Sequence, residues 1–166
     1  MSINSYSRYV LQITHTTTEI YKDGEWTAGP DLVSNGLNGC TVNIPGSNFT
    51  LQIKSNAFLY DWHSGIWTNL KPYSNAMLYS GRGYGCGFVS NGTNPYVIVA
   101  GGSKGRDRSQ ILPIGGFLAT GDPSMVGQWV QGPNLGADMI DTATVGMDDE
   151  SFIMFSTRVN KEDRVS

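Results

Sequence analysis

A chain of 166 residues with 39% hydrophobic side chains, 15% charged ones and 21 glycines is long enough for one domain with a real core. Its net charge of −3 argues against nucleic acid and anionic membrane surfaces, both of which require a basic stripe. Two cysteines exclude a disulfide-dense scaffold and cannot complete a structural zinc site alone, and no segment approaches the roughly 20 apolar residues of a membrane span.

The first element, "RYVLQITHTTTEIYKDGEWTAGPDL", reads as strands around a polar turn, with Trp26 and then Pro30. "NGCTVNI" follows as a strand of small residues, and "FTLQI" as an apolar one. "FLYDWHSGIWTNLKPY" repeats the strand, glycine-containing turn, tryptophan and proline, here Trp67 and Pro72. "SGRGYGCGFV" sets Gly81, Gly83, Gly85 and Gly87 at alternate positions. It lacks both the terminal Gly-Lys-Ser/Thr and the G-x-G-x-x-G spacing of a phosphate loop, so it reads as an inner strand where backbones crowd. "YVIVAGG" is apolar along its whole length, which requires cover on both faces. "GSKGRDRSQILPIGG" is polar, charged and glycine-rich at its start and reads as a surface insertion near residues 103–115. "FLATGDPSMVGQWVQGPNL" gives the strand, turn, Trp129 and Pro133 a third time. "DTATVGM" and "SFIMFS" close the series as another small-residue strand and another apolar one. The repeating unit is thus four short strands, and antiparallel four-stranded units of this length are propeller blades.

These residues resemble the kelch repeat. The middle unit carries Tyr60-Asp61, Gly65 and the spaced Trp67, and "YVIVAGG" ends in the double glycine Gly101-Gly102. The first unit keeps Tyr21, Gly24, Trp26 and Pro30 but has Lys22-Asp23 in place of Tyr-Asp, and the third keeps Gly127, Trp129 and Pro133. The resemblance implies an all-β fold: a partial kelch-type β-propeller of four-stranded antiparallel blades, with about three blades at residues 6–33, 37–80 and 82–156 and a polar tail at 157–166. Trp26, Tyr60, Asp61, Trp67, Gly101, Gly102 and Trp129 are then the repeat-defining structural residues. Three ways to complete the ring stand open: a longer propeller protein, assembly of copies through the incomplete edges, or terminal strands joined in one composite blade. The first is favoured.

By the same resemblance the chain is a non-enzymatic protein-binding module with no cofactor, no metal and no catalytic residue. The alternative is a fragment of a sugar-active or copper radical oxidase-like propeller, which needs a Tyr–Cys cross-link together with tyrosine and histidine ligands. His15 and His63 share no ligand spacing, and Asp148 to Glu150 read as a hairpin turn. The one strong local charge feature is Lys104, Arg106 and Arg108, a candidate contact for an acidic protein partner. Cys40 and Cys86 hold matching positions in successive units and are expected as packed, unoxidised thiols, with a cross-link between neighbouring inner strands as the less favoured alternative. The opening residues contain no apolar run of signal-peptide length, so a soluble, cytoplasmic protein is expected, or an extracellular one if the chain belongs to a secreted protein. The glycosylation triplets at Asn48 and Asn91 are accordingly given a low weight.

Overall fold

β-Branched and aromatic residues, broken by glycine, proline and asparagine, favour short pleated strands over helices. The computed structural model describes residues 10–13, 17–22, 24–32, 39–72, 74–75, 77–78, 82–90, 94–146 and 151–158. His15, Asn91 and the acidic run at 148–150 lie outside the described residues.

Strands β1 (Val10–Ile13), β2 (Thr18–Lys22) and β3 (Glu25–Ala28) form sheet A. Sheet B holds β4 (Cys40–Asn43), β5 (Phe49–Ile53), β6 (Ala57–Asp61) and β7 (Ile66–Asn69). Sheet C holds β8 (Tyr84–Val89), β9 (Tyr96–Gly101), β10 (Ser109–Pro113) and β11 (Val130–Gln131), and sheet D the hairpin of β12 (Met139–Gly146) and β13 (Phe152–Arg158). All pairings are antiparallel and between strands consecutive in the chain, and no sheet closes on itself. The protein is therefore all-β with antiparallel four-stranded sheets.

Strand register determines which side chains meet across sheets. In sheet B, Asn43, Thr50, Tyr60 and Trp67 share one face, while Val42, Leu51 and Leu59 share the other. Phe58, Tyr60 and Trp67 are buried with Leu32, and Ile20 of sheet A packs against them. Val42, Leu51, Ile53 and Leu59 form a second core with Val97, Val99, Leu112 and Trp129 from the sheet C segment. Full burial of each such aliphatic side chain is worth about 1.5–3 kcal/mol. The opposite face of sheet C receives sheet D. A Cβ on Gly85 would stand 2.7 Å from Cγ2 of Thr144, and one on Gly87 2.5 Å from the Phe152 ring. The alternating glycines of β8 thus leave room for the β12–β13 hairpin to approach. The sheets cover one another in chain order, A on B, B on C and C on D.

Three expectations change. The segment expected as one third blade, residues 82–156, supplies two sheets, C and D. The surplus length is not at 103–115, because Ser109–Pro113 is β10, the third strand of sheet C. It lies in helix α1 (Gly115–Thr120) and the 3-10 turn Pro123–Met125, so "FLAT" is helical rather than extended. The physical reason is Phe117, which is buried and stands edge-on to Phe49 with ring centroids 4.8 Å apart, so the helix plugs the core between sheets B and C. Finally, Cys40 and Cys86 are not free thiols. They form a disulfide between the first strands of sheets B and C, with Cα atoms 6.0 Å apart.

Candidate interaction surface

The stack has two ends, defined by the connections between strands. At one end the chain leaves β9 through the double glycine. Gly101 and Gly102 have φ of 74° and 89°, the left-handed region that side chains rarely adopt, and a Cβ on Gly101 would stand 2.7 Å from the Met139 carbonyl oxygen. Backbone bonds then hold the loop that follows. Gly102 N–H donates to the Met139 carbonyl at 2.8 Å, Ser103 N–H to the Arg82 carbonyl at 2.9 Å, and Arg82 N–H to Ser103 Oγ at 3.2 Å. Met139 N–H donates to the Arg106 carbonyl at 2.8 Å and Leu135 N–H to the Asp107 carbonyl at 2.7 Å. The basic loop is thereby tied to the segments that enter β8 and β12.

On this tethered loop Lys104 is exposed, Arg106 is half-buried, and Arg108 lies 3.4 Å from the Asp107 carboxylate. That pair is solvent-facing and contributes at most about 1 kcal/mol. Arg82 is exposed and reaches the same surface through its two bonds to Ser103. Sequence reasoning missed Arg82, since "GRG" beside a strand carries no sign of a neighbour some twenty residues on.

At the other end, the Asn48 carbonyl accepts Trp62 N–H at 2.8 Å. The Trp62 indole N–H donates to Thr50 Oγ1 at 2.8 Å, and that hydroxyl donates to Asn43 Oδ1 at 2.8 Å. Asp61 closes the β6–β7 turn by accepting His63 N–H at 2.9 Å and Ser64 Oγ–H at 2.7 Å. Partial desolvation works to raise the Asp61 pKa, but the hydrogen bonds from Ser64 and His63, with the nearby imidazole, hold it below the usual carboxylate value. Asp61 therefore acts as a turn residue.

The tryptophans behave unequally. Trp67 packs on Tyr60 at 4.9 Å and is buried, and Trp129 is buried in the next interface. Trp26 makes the matching contact with Tyr21 at 5.3 Å, yet it is 51% exposed, because no described sheet lies on that side of sheet A. A second repeated feature escaped the sequence reading. Gly29 N–H donates to the Thr18 carbonyl, Leu70 N–H to Ala57 and Gly132 N–H to Ser109, which closes sheets A, B and C alike. In A and C the hydroxyls of Thr18 and Ser109 also donate to the carbonyls of Pro30 and Pro133, at 2.6 and 2.5 Å. The signal available was the Gly-Pro pair after each of those tryptophans, matched to a hydroxyl residue opening the last strand but one of the sheet.

The oxidase alternative meets a chemical obstacle. The Cys86 sulfur is bonded to Cys40 and is not available for a thioether to tyrosine. Tyr84, two residues before it, is buried and donates its hydroxyl to the Ile53 carbonyl at 3.1 Å. Among the described residues no three His, Cys, Asp or Glu side chains gather closely enough to hold a metal ion, and no helix is long and apolar enough to cross a membrane. No protein-family model matches the chain, and no curated protein matches it.

Proposed function

We propose that the chain is a stretch of a kelch-type β-propeller that works as a non-enzymatic protein-interaction module. The observation that supports this reading is the ordered stack, in which each sheet is covered by the next, and sheets A, B and C end in equivalent backbone bonds. Such a stack is a rigid base from which loops are presented in fixed positions. The partner proposed is an acidic protein surface that docks on the end carrying Arg82, Lys104 and Arg106. Affinity capture with the wild-type chain against Lys104→Ala/Arg106→Ala/Arg108→Ala tests this reading. Loss of salt-sensitive partners in the variant is expected, and an identical set of captured proteins removes the loop as the contact.

A second contact is proposed on the end sheets. The outer face of sheet A presents Tyr21, Trp26 and Ala28, and the outer face of sheet D presents Ala143, Val145, Ile153 and Phe155. The first matches the Tyr60–Trp67 face that sheet A covers on sheet B. The second is an apolar face of the kind with which sheet B covers sheet C. A second copy of the chain, placed head to tail, brings the two together.

A further inference from the structure

We infer that this protein matures in an oxidising compartment and that Asn48 carries an N-linked glycan there. Two independent observations lead to this. The first is the Cys40–Cys86 disulfide. It joins positions 46 residues apart across the interface of sheets B and C, and Cys86 is 3% exposed. With Cys86 buried and Cys40 partly buried against the same core, the bond is a structural cross-link rather than a surface redox sensor, and structural cross-links of this kind form where thiols are oxidised rather than kept reduced. Forming it removes two electrons and two protons from the thiol pair, and these pass to a thiol–disulfide oxidoreductase of such a compartment.

The second is the Asn48-Phe49-Thr50 triplet and its place in the fold. Asn48 is exposed in the turn between β4 and β5. The turn is held by other groups: Ser47 Oγ donates to the Ile44 carbonyl at 2.8 Å and accepts Phe49 N–H at 3.2 Å, while Asn48 contributes its main-chain carbonyl to Trp62 N–H. Thr50, by contrast, is completely buried and bonded to Asn43 and Trp62, so the fold itself explains that residue. The weight therefore falls on Asn48, whose side chain reaches solvent at a site where a bulky polar addition displaces no core residue.

The transfer requires an oligosaccharide linked through a diphosphate to a lipid. Nδ2 of Asn48 attacks the anomeric carbon, the carbon–nitrogen bond forms, and the carbon–oxygen bond to phosphate breaks. The lipid diphosphate leaves and the amide loses one proton, with no change of oxidation state. Because the turn lies at the end of the stack opposite the Lys104 loop, the glycan shields one end and leaves the basic end open.

The test is peptide mapping of the protein isolated from its natural source with thiols blocked at lysis, before and after peptide-N-glycosidase treatment in heavy-oxygen water. The expected result is an Asn48 peptide released as labelled aspartate in most molecules, together with a disulfide-linked peptide pair containing Cys40 and Cys86. An unmodified Asn48 overturns the glycan, and two alkylated cysteines in folded protein overturn the compartment. Asn48→Gln, expressed with a secretion signal, is expected to lose the modification at that peptide while keeping the parent's melting temperature. A drop in melting temperature of Asn48→Gln relative to unglycosylated wild type, both produced in an oxidising compartment that adds no N-glycans, counts against the proposal that the Asn48 side chain is unused by the fold.

Discussion

Tyr84 shows how one side chain ties two sheets and makes their union depend on pH. It begins β8, is 3% exposed, and gives its hydroxyl to the Ile53 carbonyl at the end of β5. Burial disfavours the phenolate and pushes the pKa well above the ordinary tyrosine value of about 10. A folded-state pKa raised in this way stabilises the fold fully below the unfolded value. That stability is lost as pH rises from about 10 toward the folded value, because the unfolded chain releases its proton first. Tyr60 adds a contribution of the same sign, from burial and then from the Asp61 carboxylate. Tyr84→Phe is expected to cost about 0.5–1.5 kcal/mol near neutral pH, since it removes a buried hydrogen bond between two sheets. It should also flatten, without abolishing, the fall in stability above about pH 10. Urea unfolding at neutral pH and at pH 10 to 11 measures both, and an unchanged alkaline slope in the variant refutes the assignment to Tyr84. At the tryptophans packing dominates: among the described residues the buried indole N–H groups of Trp67 and Trp129 have no hydrogen-bond partner, so ring area and shape account for their place.

At the scale of elements the disulfide bears most on stability. It closes a loop between β4 and β8, and the chain-entropy account assigns a loop of this length about 4 kcal/mol, through restriction of the unfolded chain. Replacing both cysteines by serine should lower stability by up to about that amount. Dithiothreitol should lower the melting temperature of the wild type and leave the double variant unchanged. Equal melting temperatures for oxidised and reduced wild type would show that the cross-link does not constrain the unfolded chain. Strand roles were legible beforehand because the chemistry of each strand is local: Tyr60-Asp61 before a turn, Trp67 after it, an all-apolar "YVIVA" that needs two covers. Helix α1 was not legible, since six residues are less than two turns and show no dependable period. Its stability comes from Phe117 against Phe49, a contact between units. The pairing of Cys40 with Cys86 was hidden for a related reason. Read from the sequence they hold matching places, but aligned on Trp67 and Trp129 they differ by one residue: Cys40 lies on the Val42–Leu51 face of sheet B and Cys86 on the Val97–Val99 face of sheet C, and a one-residue step turns the two sulfurs toward each other. The surface formed by Lys104, Arg106 and Arg108 was readable as a charged loop. Its tether to Met139 arises only when sheet D folds back onto sheet C, and Arg82 joins it through Ser103 only when β8 pairs with β9.

At the scale of the whole molecule the two end faces decide how the chain behaves in solution. Inside the stack, every face bearing a buried tryptophan is covered by apolar side chains of the sheet before it. Trp26 is the exception at one end, and Val145, Ile153 and Phe155, at 54%, 42% and 58% exposure, form an apolar face that no described residue covers at the other. Exposed apolar surface of this kind favours association. Because the two faces differ, a contact between copies made through them is expected to be heterologous, head to tail, and not a symmetric pairing of like faces. The chain is therefore expected to associate in a concentration-dependent manner by light scattering coupled to size exclusion. Trp26→Glu and Phe155→Glu should each yield monomers when measured alone. The geometry makes a further demand that separates head-to-tail contact from sticky aggregation. The Trp26→Glu chain retains an intact sheet D face, and the Phe155→Glu chain retains an intact sheet A face. Mixed in equal amounts, the two variants should form a complex of one copy each that grows no further, since the remaining faces both carry a carboxylate and repel. A mixture that stays monomeric, or single variants that associate like the parent, would refute head-to-tail stacking through these faces.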